Sequence, residues 1–407
     1  DAAVAAERRV STLTSGPSWL ENTAVRVDAA ADGSLRLTDK RTGRVFGPLN
    51  VFRSEADRGD EYSFCPAAAD RPVSSLGGAA TVTLVEEGPL RATLEIQLTL
   101  AVPAGLAHER DHRVTDVVAL PIRTRVSLSP DRARLEIQTT LENTARDHRL
   151  RALFTTGVQT EYADAQGQFQ VMRRLAALDP AERARVPEFD EEQEVSYHPQ
   201  RAFVDVSDAD GGLAVLNRGL PEYEAEVEPE GICLALTLLR AVGWLSREDL
   251  STRYKHAGPA LETPEAQCLG PHTFEYAVLP HSGDWLAGGV PPEAEAYVTP
   301  VWSAPLGSAD GSLPAAAGFY ALEPAELLFS TCKRSEDGRA LVLRGYNTAP
   351  HPLTATLRLG MPARVLRANL AERPAAAPLP ATEPGVYTLD VRPHEIVTFA
   401  IYPEEAR

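Results

Sequence analysis

The chain has little of what usually announces a chemistry. Four cysteines occur in 407 residues, Cys65, Cys233, Cys268 and Cys332, and no two form a C-x-x-C pair. That spacing excludes a compact disulfide frame and suits free, buried thiols in a reducing compartment. No apolar run approaches the ~20 residues needed to span a bilayer. Basic residues are in deficit, with 40 Lys and Arg against 57 Asp and Glu for a net charge of −17. Proteins that meet phosphates do so with basic patches, so nucleic acid and membrane surfaces are excluded as general partners, and a soluble, cytoplasmic protein is expected. The four tryptophans, Trp19, Trp244, Trp285 and Trp302, are scattered, which leaves no aromatic stacking platform. There is no G-x-S-x-G, G-x-G-x-x-G or P-loop, and no legible Ser-His-Asp order. A signal segment is also lacking. The opening "DAAVAAERRVSTLTSG" reads as the middle of a longer protein.

What is present is a period of two. "AATVTLVEEGPLRATLEIQLTL" alternates apolar and polar residues on both sides of Glu87-Gly88-Pro89, the pattern of a strand, a turn and a strand. "PIRTRVSLSPDRARLEIQTTLEN" repeats it around Ser129-Pro130-Asp131, and "GSLRLTDKRTGRVFG" around Asp39 to Gly43. Half-wet sheets of this kind are usually antiparallel and stack in pairs. The helical period is scarce, and "QVMRRLAALDPAERARV", from Gln170, is its best candidate. "LAGGVPPEAEAYVTP" interrupts the strands with glycine and tandem proline and marks a boundary. "RPAAAPLPATEPG", Arg373 to Gly385, reads as a proline-rich loop within a terminal β-sandwich. The expected organisation is a linker over residues 1–20, a large β-domain over 21–287, a linker over 288–302 and a β-sandwich over 303–407.

One motif match fails on context. "HERDH", His108 to His112, fits the H-E-x-x-H zinc-protease pattern, which needs a helix to bring both imidazoles to one face. Here a proline-glycine loop precedes it and a strand follows, so an exposed hairpin loop is expected. Two other loops stand out because they mix aromatic, amide and charged groups, as sugar recognition requires. The first is "DRGDEYSFCP", Asp57 to Pro66, in which the adjacent Asp60 and Glu61 look like the carboxylate pair of a hydrolase. The second is "LNRGLPEYE", Leu216 to Glu224, in which Asn217 and Gly219 also fit a plain turn.

At these loops the sequence resembles the non-catalytic C-terminal half of glycoside hydrolase family 38, the retaining α-mannosidases, in the bacterial branch of mannosylglycerate hydrolase-like enzymes. "GSLRLTDKRTGRVF", "DRGDEYSFCP", "DHRLRALFTTG", "HPQRAFVDVSDADGGLAVLNRGLPEYE", "LTLLRAVGWLSREDL", "AGPALETPEAQCLGPHTFEYAVLPHSGDW", "CKRSEDGRALVLRGYN" and "RPHEIVTF" match it in order over nearly the whole chain. The resemblance implies an all-β fold: a large antiparallel supersandwich of the galactose mutarotase type, then a smaller β-sandwich. It implies a parent glycosidase whose zinc ligands and carboxylates, ~5 Å apart in a retaining enzyme, lie in an N-terminal barrel that this chain lacks. No catalytic or metal-binding residue is therefore expected here. By position it implies that Tyr62 and Arg218 approach the sugar, with Asp60 and Asn217 beside them as secondary candidates and Glu222 and Tyr223 fixing the second loop. The implied partners are a mannose-containing oligosaccharide or glycoside and the protein's own catalytic domain. A stand-alone carbohydrate-binding or interaction module remains an alternative, as does a mutarotase-type epimerase, which would need a histidine and a carboxylate converging in a sheet cleft.

Overall fold

The computed structural model describes residues 11–178, 181, 188, 192–305 and 317–403. Every strand pairing among them is antiparallel. The chain divides into two compact units, Asp1–Ala165 with Arg173–Trp285, and Gln166–Met172 with Leu286–Arg407.

The larger unit is built on two sheets. One runs through Thr14–Gly16, Trp19–Glu21, Val25–Ala29, Leu35–Asp39, Val45–Ala56, His148–Thr155, Gly231–Ala241, Glu222–Glu228 and Tyr197–Pro199, with Val73–Ser74 against the long fifth strand. The other runs through Gln170–Leu175, Tyr162–Gly167, Phe203–Asp208, Gly211–Asn217, Gly270–His281, Leu135–Asn143, Val117–Leu128, Ala92–Pro103 and Ala80–Glu87. The three hairpins read from the period of two are all present. Their apolar residues, among them Leu35, Leu37, Leu94, Ile96, Val126 and Ile137, enter one core drawn from both sheets. That is the arrangement of an antiparallel supersandwich. Strand His148–Thr155 departs from the half-wet pattern, because seven of its eight residues are buried.

Three expectations change. Gln170–Leu175, expected as a helix, is a strand paired with Tyr162–Gly167; most of the rest of that segment lies outside the described residues. The span 288–302, expected as a linker, contains the helix Val290–Val298, which the tandem prolines open. Proline is favoured in a first helical turn because its missing N–H has no partner there. Thr14–Gly16 lies within the expected leading linker and Trp19–Glu21 runs across its end at residue 20; both belong to the first sheet.

The smaller unit stacks a four-stranded sheet (Tyr320–Glu323, Leu353–Leu359, Val386–Val391, Ala381–Glu383) on a five-stranded one (Leu327–Arg334, Leu341–Asn347, Ile396–Pro403, Ala363–Ala368, Pro374–Pro378). Leu343, Leu357, Val365 and Phe399 are among the residues of its core. The proline-rich loop supplies two exposed edge strands, Pro374–Pro378 and Ala381–Glu383. An edge tolerates proline because one side of the strand needs no donor.

Candidate functional site

The stretch Asp57–Pro66 leaves the end of strand Val45–Ala56 and is tied down by two buried carboxylates. Asp57 accepts from the Gly59 N–H at 2.9 Å and from Arg240 Nε at 2.7 Å. Asp60 accepts from the backbone N–H groups of Tyr62, Ser63 and Arg247 at 3.0, 2.9 and 2.8 Å, and from Arg253 Nη2 at 2.5 Å. Arg240 Nη2 also donates to the Asp60 carbonyl at 3.0 Å. Gly59 sits at the tightest point: a Cβ there would stand 2.1 Å from the Ser63 carbonyl oxygen.

The apparent carboxylate pair is therefore split. Asp60 is fully buried, whereas Glu61 and Tyr62 are exposed, Tyr62 by 55%. Burial alone would raise the Asp60 pKa, but the Arg253 and backbone hydrogen bonds outweigh it and hold the carboxyl below the usual range. Asp60 is thus a fixed anion and an ion-pair partner.

Tyr62 lies over Gly258, where a Cβ would come 2.9 Å from the phenol oxygen. The Glu61 N–H donates to the Trp244 carbonyl at 3.0 Å, and Arg247 lies over the Trp244 ring at 4.9 Å. Arg247 also pairs with Asp249 at 2.7 Å. The loop thus offers a phenol, an indole, a guanidinium and carboxylates within one neighbourhood, a set suited to a polyhydroxylated ring.

The second loop is set differently. Asn217 is buried, and its Oδ1 accepts the Leu220 N–H at 2.8 Å, closing a turn in which Gly219 has φ of +80°. This is the plain turn geometry. Arg218 is part-exposed and pairs with Glu275 at 2.9 Å, and Glu275 accepts from Gln138. Tyr223 is buried in the core, and Glu222 accepts from Thr237.

Arg218 lies beside Glu275, five residues along the strand that starts at Gly270. Glu61 is near Cys268, whose thiol pKa is raised by burial and then by that carboxylate. Tyr62 packs on Gly258 and Arg218 pairs with Glu275, on different segments of the chain.

The H-E-x-x-H match is an irregular turn with His108, Glu109, Asp111 and His112 exposed. Among the described residues no group of three or more His, Cys, Asp or Glu is placed to hold a metal ion. The residues described here do not fit a zinc site. His148 is fully buried between Ser54 Oγ at 3.2 Å and Asn143 Oδ1 at 3.0 Å, and burial, then the Arg113 charge, lowers its pKa to about 4. All four thiols are free, but only Cys65 and Cys233 are buried; Cys268 is half-buried and Cys332 is exposed.

A second feature escaped the sequence reading: a cavity of about 540 Å³ on the outer face of the first sheet, lined by Arg53, Glu55, Arg149, Arg151, Glu224 and Phe64 among others. Its described lining contains carboxylates and guanidinium groups but no histidine. Its signal was legible as charge at every second position, in Arg53/Glu55, Arg149/Arg151 and Glu222/Glu224/Glu226.

Residues 20–249 match the family model for the glycosyl hydrolases family 38 C-terminal domain. Residues 326–399 match that for the family 38 C-terminal beta sandwich domain. The chain belongs to glycosyl hydrolase family 38, of which it carries these C-terminal regions. Among individual proteins, it is 30% identical over 344 residues to a "Putative mannosylglycerate hydrolase" of Halalkalibacterium halodurans, covering 81% of this chain and 36% of that protein. It also superposes on the crystal structure of an alpha-mannosidase from Enterococcus faecalis V583 with a TM-score of 0.82 and 27% identity, over 95% of this chain and 42% of the other. A second family 38 structure from Enterococcus faecalis gives a TM-score of 0.81 and 27% identity, over 95% and 44%. The chain spans well under half the length of each of these relatives.

Proposed function

We propose that this chain is the β-rich portion of a retaining, zinc-dependent glycosidase acting on α-mannosidic bonds. In this reading it scaffolds an N-terminal catalytic domain, rims its sugar site and has no turnover alone. The zinc ligands and the reacting carboxylates belong to that other domain, so no chemical step is assigned to residues of this chain. Tyr62 is the residue that meets the sugar. A mutarotase-type epimerase is the second reading: the cavity on the first sheet has no histidine among its described lining residues, but a groove on the second sheet is lined by both His272 and Glu142.

The observation that carries the reading is the construction of the Asp57–Pro66 loop. Two buried Asp–Arg pairs fix its backbone, yet the Tyr62 ring is left exposed. Rigid support for an exposed aromatic side chain is what a preorganised sugar contact needs. Arg218, tied to Glu275, is the second candidate. The test is Tyr62→Phe in the full-length enzyme. Loss of one hydrogen bond to the sugar, about 0.5–1.5 kcal/mol, lowers kcat/KM by roughly 2- to 10-fold at unchanged stability. Unchanged kinetics remove Tyr62 from the sugar site.

A further inference from the structure

The outer face of the first sheet also carries an apolar pocket of about 570 Å³, whose lining shares only Arg53 with the described lining of the Arg–Glu cavity, apart from Val51 and Leu153 on the same strands. Its floor is set by strand register: Val51 lies opposite Leu153, Leu153 opposite Ala235 and Thr155 opposite Cys233. Successive residues of a strand face opposite sides, so Ala152 and Phe154 enter the core while Leu153 points outward. Val51, Leu153, Cys233 and Ala235 form an apolar cluster of their own, separate from that core. Val45, Pro48 and Leu76 extend the apolar lining, and Val45 and Leu76 are exposed.

One side of the pocket is acidic. Glu228 and Glu230 line it from the hairpin that joins strands Glu222–Glu228 and Gly231–Ala241. The end of that hairpin is fixed: Gly231 has φ of +124°, and a Cβ there would stand 2.6 Å from the Val158 carbonyl oxygen. The Ile232 N–H donates to the same carbonyl at 2.9 Å. Among the described residues, neither Glu228 nor Glu230 makes a side-chain hydrogen bond or ion pair. Glu228 is half-buried; burial, then the Glu226 carboxylate, raise its pKa, Arg53 opposes them and Glu230 adds to them. Arg53, the one cation in the described lining, is taken up by Glu55 and Glu226. An apolar floor that ends on two uncompensated carboxylates is complementary to a molecule with an apolar body and one positive charge.

We propose that this pocket binds a small apolar amine in its ammonium form, with its hydrocarbon body on Val51, Leu153 and Cys233 and its ammonium group on Glu228 and Glu230. An ammonium ion offers N–H donors and no acceptor, which suits a head site made of carboxylates. An anionic amphipath of the same length meets like charge there and is rejected. The inference stands whether or not Tyr62 meets a sugar.

The test is calorimetric titration of the 407-residue chain at neutral pH with n-hexylamine hydrochloride, 1-hexanol and sodium hexanoate, which share one hydrocarbon length and differ in charge. The expected result is saturable hexylammonium binding with a Kd of about 1 mM or tighter, and binding at least ~10-fold weaker for hexanol and for hexanoate. No saturable binding of hexylammonium, or equal binding of hexanol or hexanoate, overturns the proposal. The diagnostic variant is Glu228→Gln, which keeps the shape of the side chain and removes its charge. Hexylammonium is expected to bind it at least about 5-fold more weakly. Its Tm is expected to hold or rise, because the lost carboxylate sits beside like charges. Undiminished binding in that variant places the ligand elsewhere and refutes the site, and a lowered Tm contradicts the uncompensated state of Glu228.

Discussion

Replacing Asp60 by alanine removes five hydrogen bonds in one step. The carboxylate loses Arg253 Nη2 at 2.5 Å and Nη1 at 3.4 Å, along with the N–H groups of Tyr62, Ser63 and Arg247. Arg253 is itself buried, so its charge is left unpaired in the interior. Breaking a buried ion pair from one side costs about 3–5 kcal/mol. With an m-value of ~2–3 kcal/mol/M, the urea midpoint of the larger unit's transition falls by about 1–2 M. Arg253 keeps a bond to Ser63 Oγ at 2.7 Å, which favours the lower half of that range. The companion variant Asp60→Ala/Arg253→Met removes both charges and should be less destabilised than the sum of the two single variants. A stability for Asp60→Ala within about 0.5 kcal/mol of the unaltered protein, the range of ordinary surface changes, would falsify the claim that this carboxylate is structural. Asp60→Asn, which keeps one acceptor, is expected to fall between.

Other outcomes follow from the same structure. His148 titrates at about 4 when folded, against 6.5 in an unfolded chain, so it is the unfolded state that takes up the proton between those values. Its contribution is complete above pH 6.5 and is lost as pH falls toward 4, by about 3 kcal/mol in all. His148→Gln should flatten that limb of a stability–pH profile, and an identical limb in the variant refutes the assignment. His281 works in the opposite sense: burial disfavours its charge, but the Asp205 carboxylate outweighs burial and raises its pKa, so comparing variant with parent isolates His148. Gly258→Val should displace the Tyr62 ring, read as a changed tyrosine environment by NMR with little change in Tm; an unmoved signal contradicts the packing of Tyr62 over Gly258. Of the four thiols, the exposed Cys332 should react first with a disulfide reagent, and Cys233 last, since burial pushes its pKa up to about 12. Rapid labelling of Cys233 in the native protein would refute that order.

Much of the fold was legible because one sheet face is dry and the other wet along the same strands. Ala80–Glu87, Ala92–Pro103, Val117–Leu128 and Leu135–Asn143 show it residue by residue. Where both faces are covered the period disappears, as in His148–Thr155. Gln170–Leu175 misled because Val171 and Leu175 are spaced like a helix face. Its strand is fixed from outside, by pairing with Tyr162–Gly167 and by the Arg173–Asp164 ion pair at 2.8 Å. In the candidate site the order of residues located the loop but not its inside and outside. Asp60 and Glu61 are chemically alike in sequence, and only the approach of Arg253 and Arg240 from strands and loops some 180 residues away turns one inward. The Arg–Glu cavity was hidden for a related reason. Its charges alternate within each strand, but their convergence depends on which strands are neighbours.

The central claim, that this chain frames a sugar site without performing the chemistry, is tested most directly by an activity assay on the 407-residue chain itself. The folded chain, checked by circular dichroism, is incubated with nitrophenyl α-mannoside with and without added zinc. The account predicts no nitrophenol release above background in either case. Zinc-dependent turnover by this chain would contradict it.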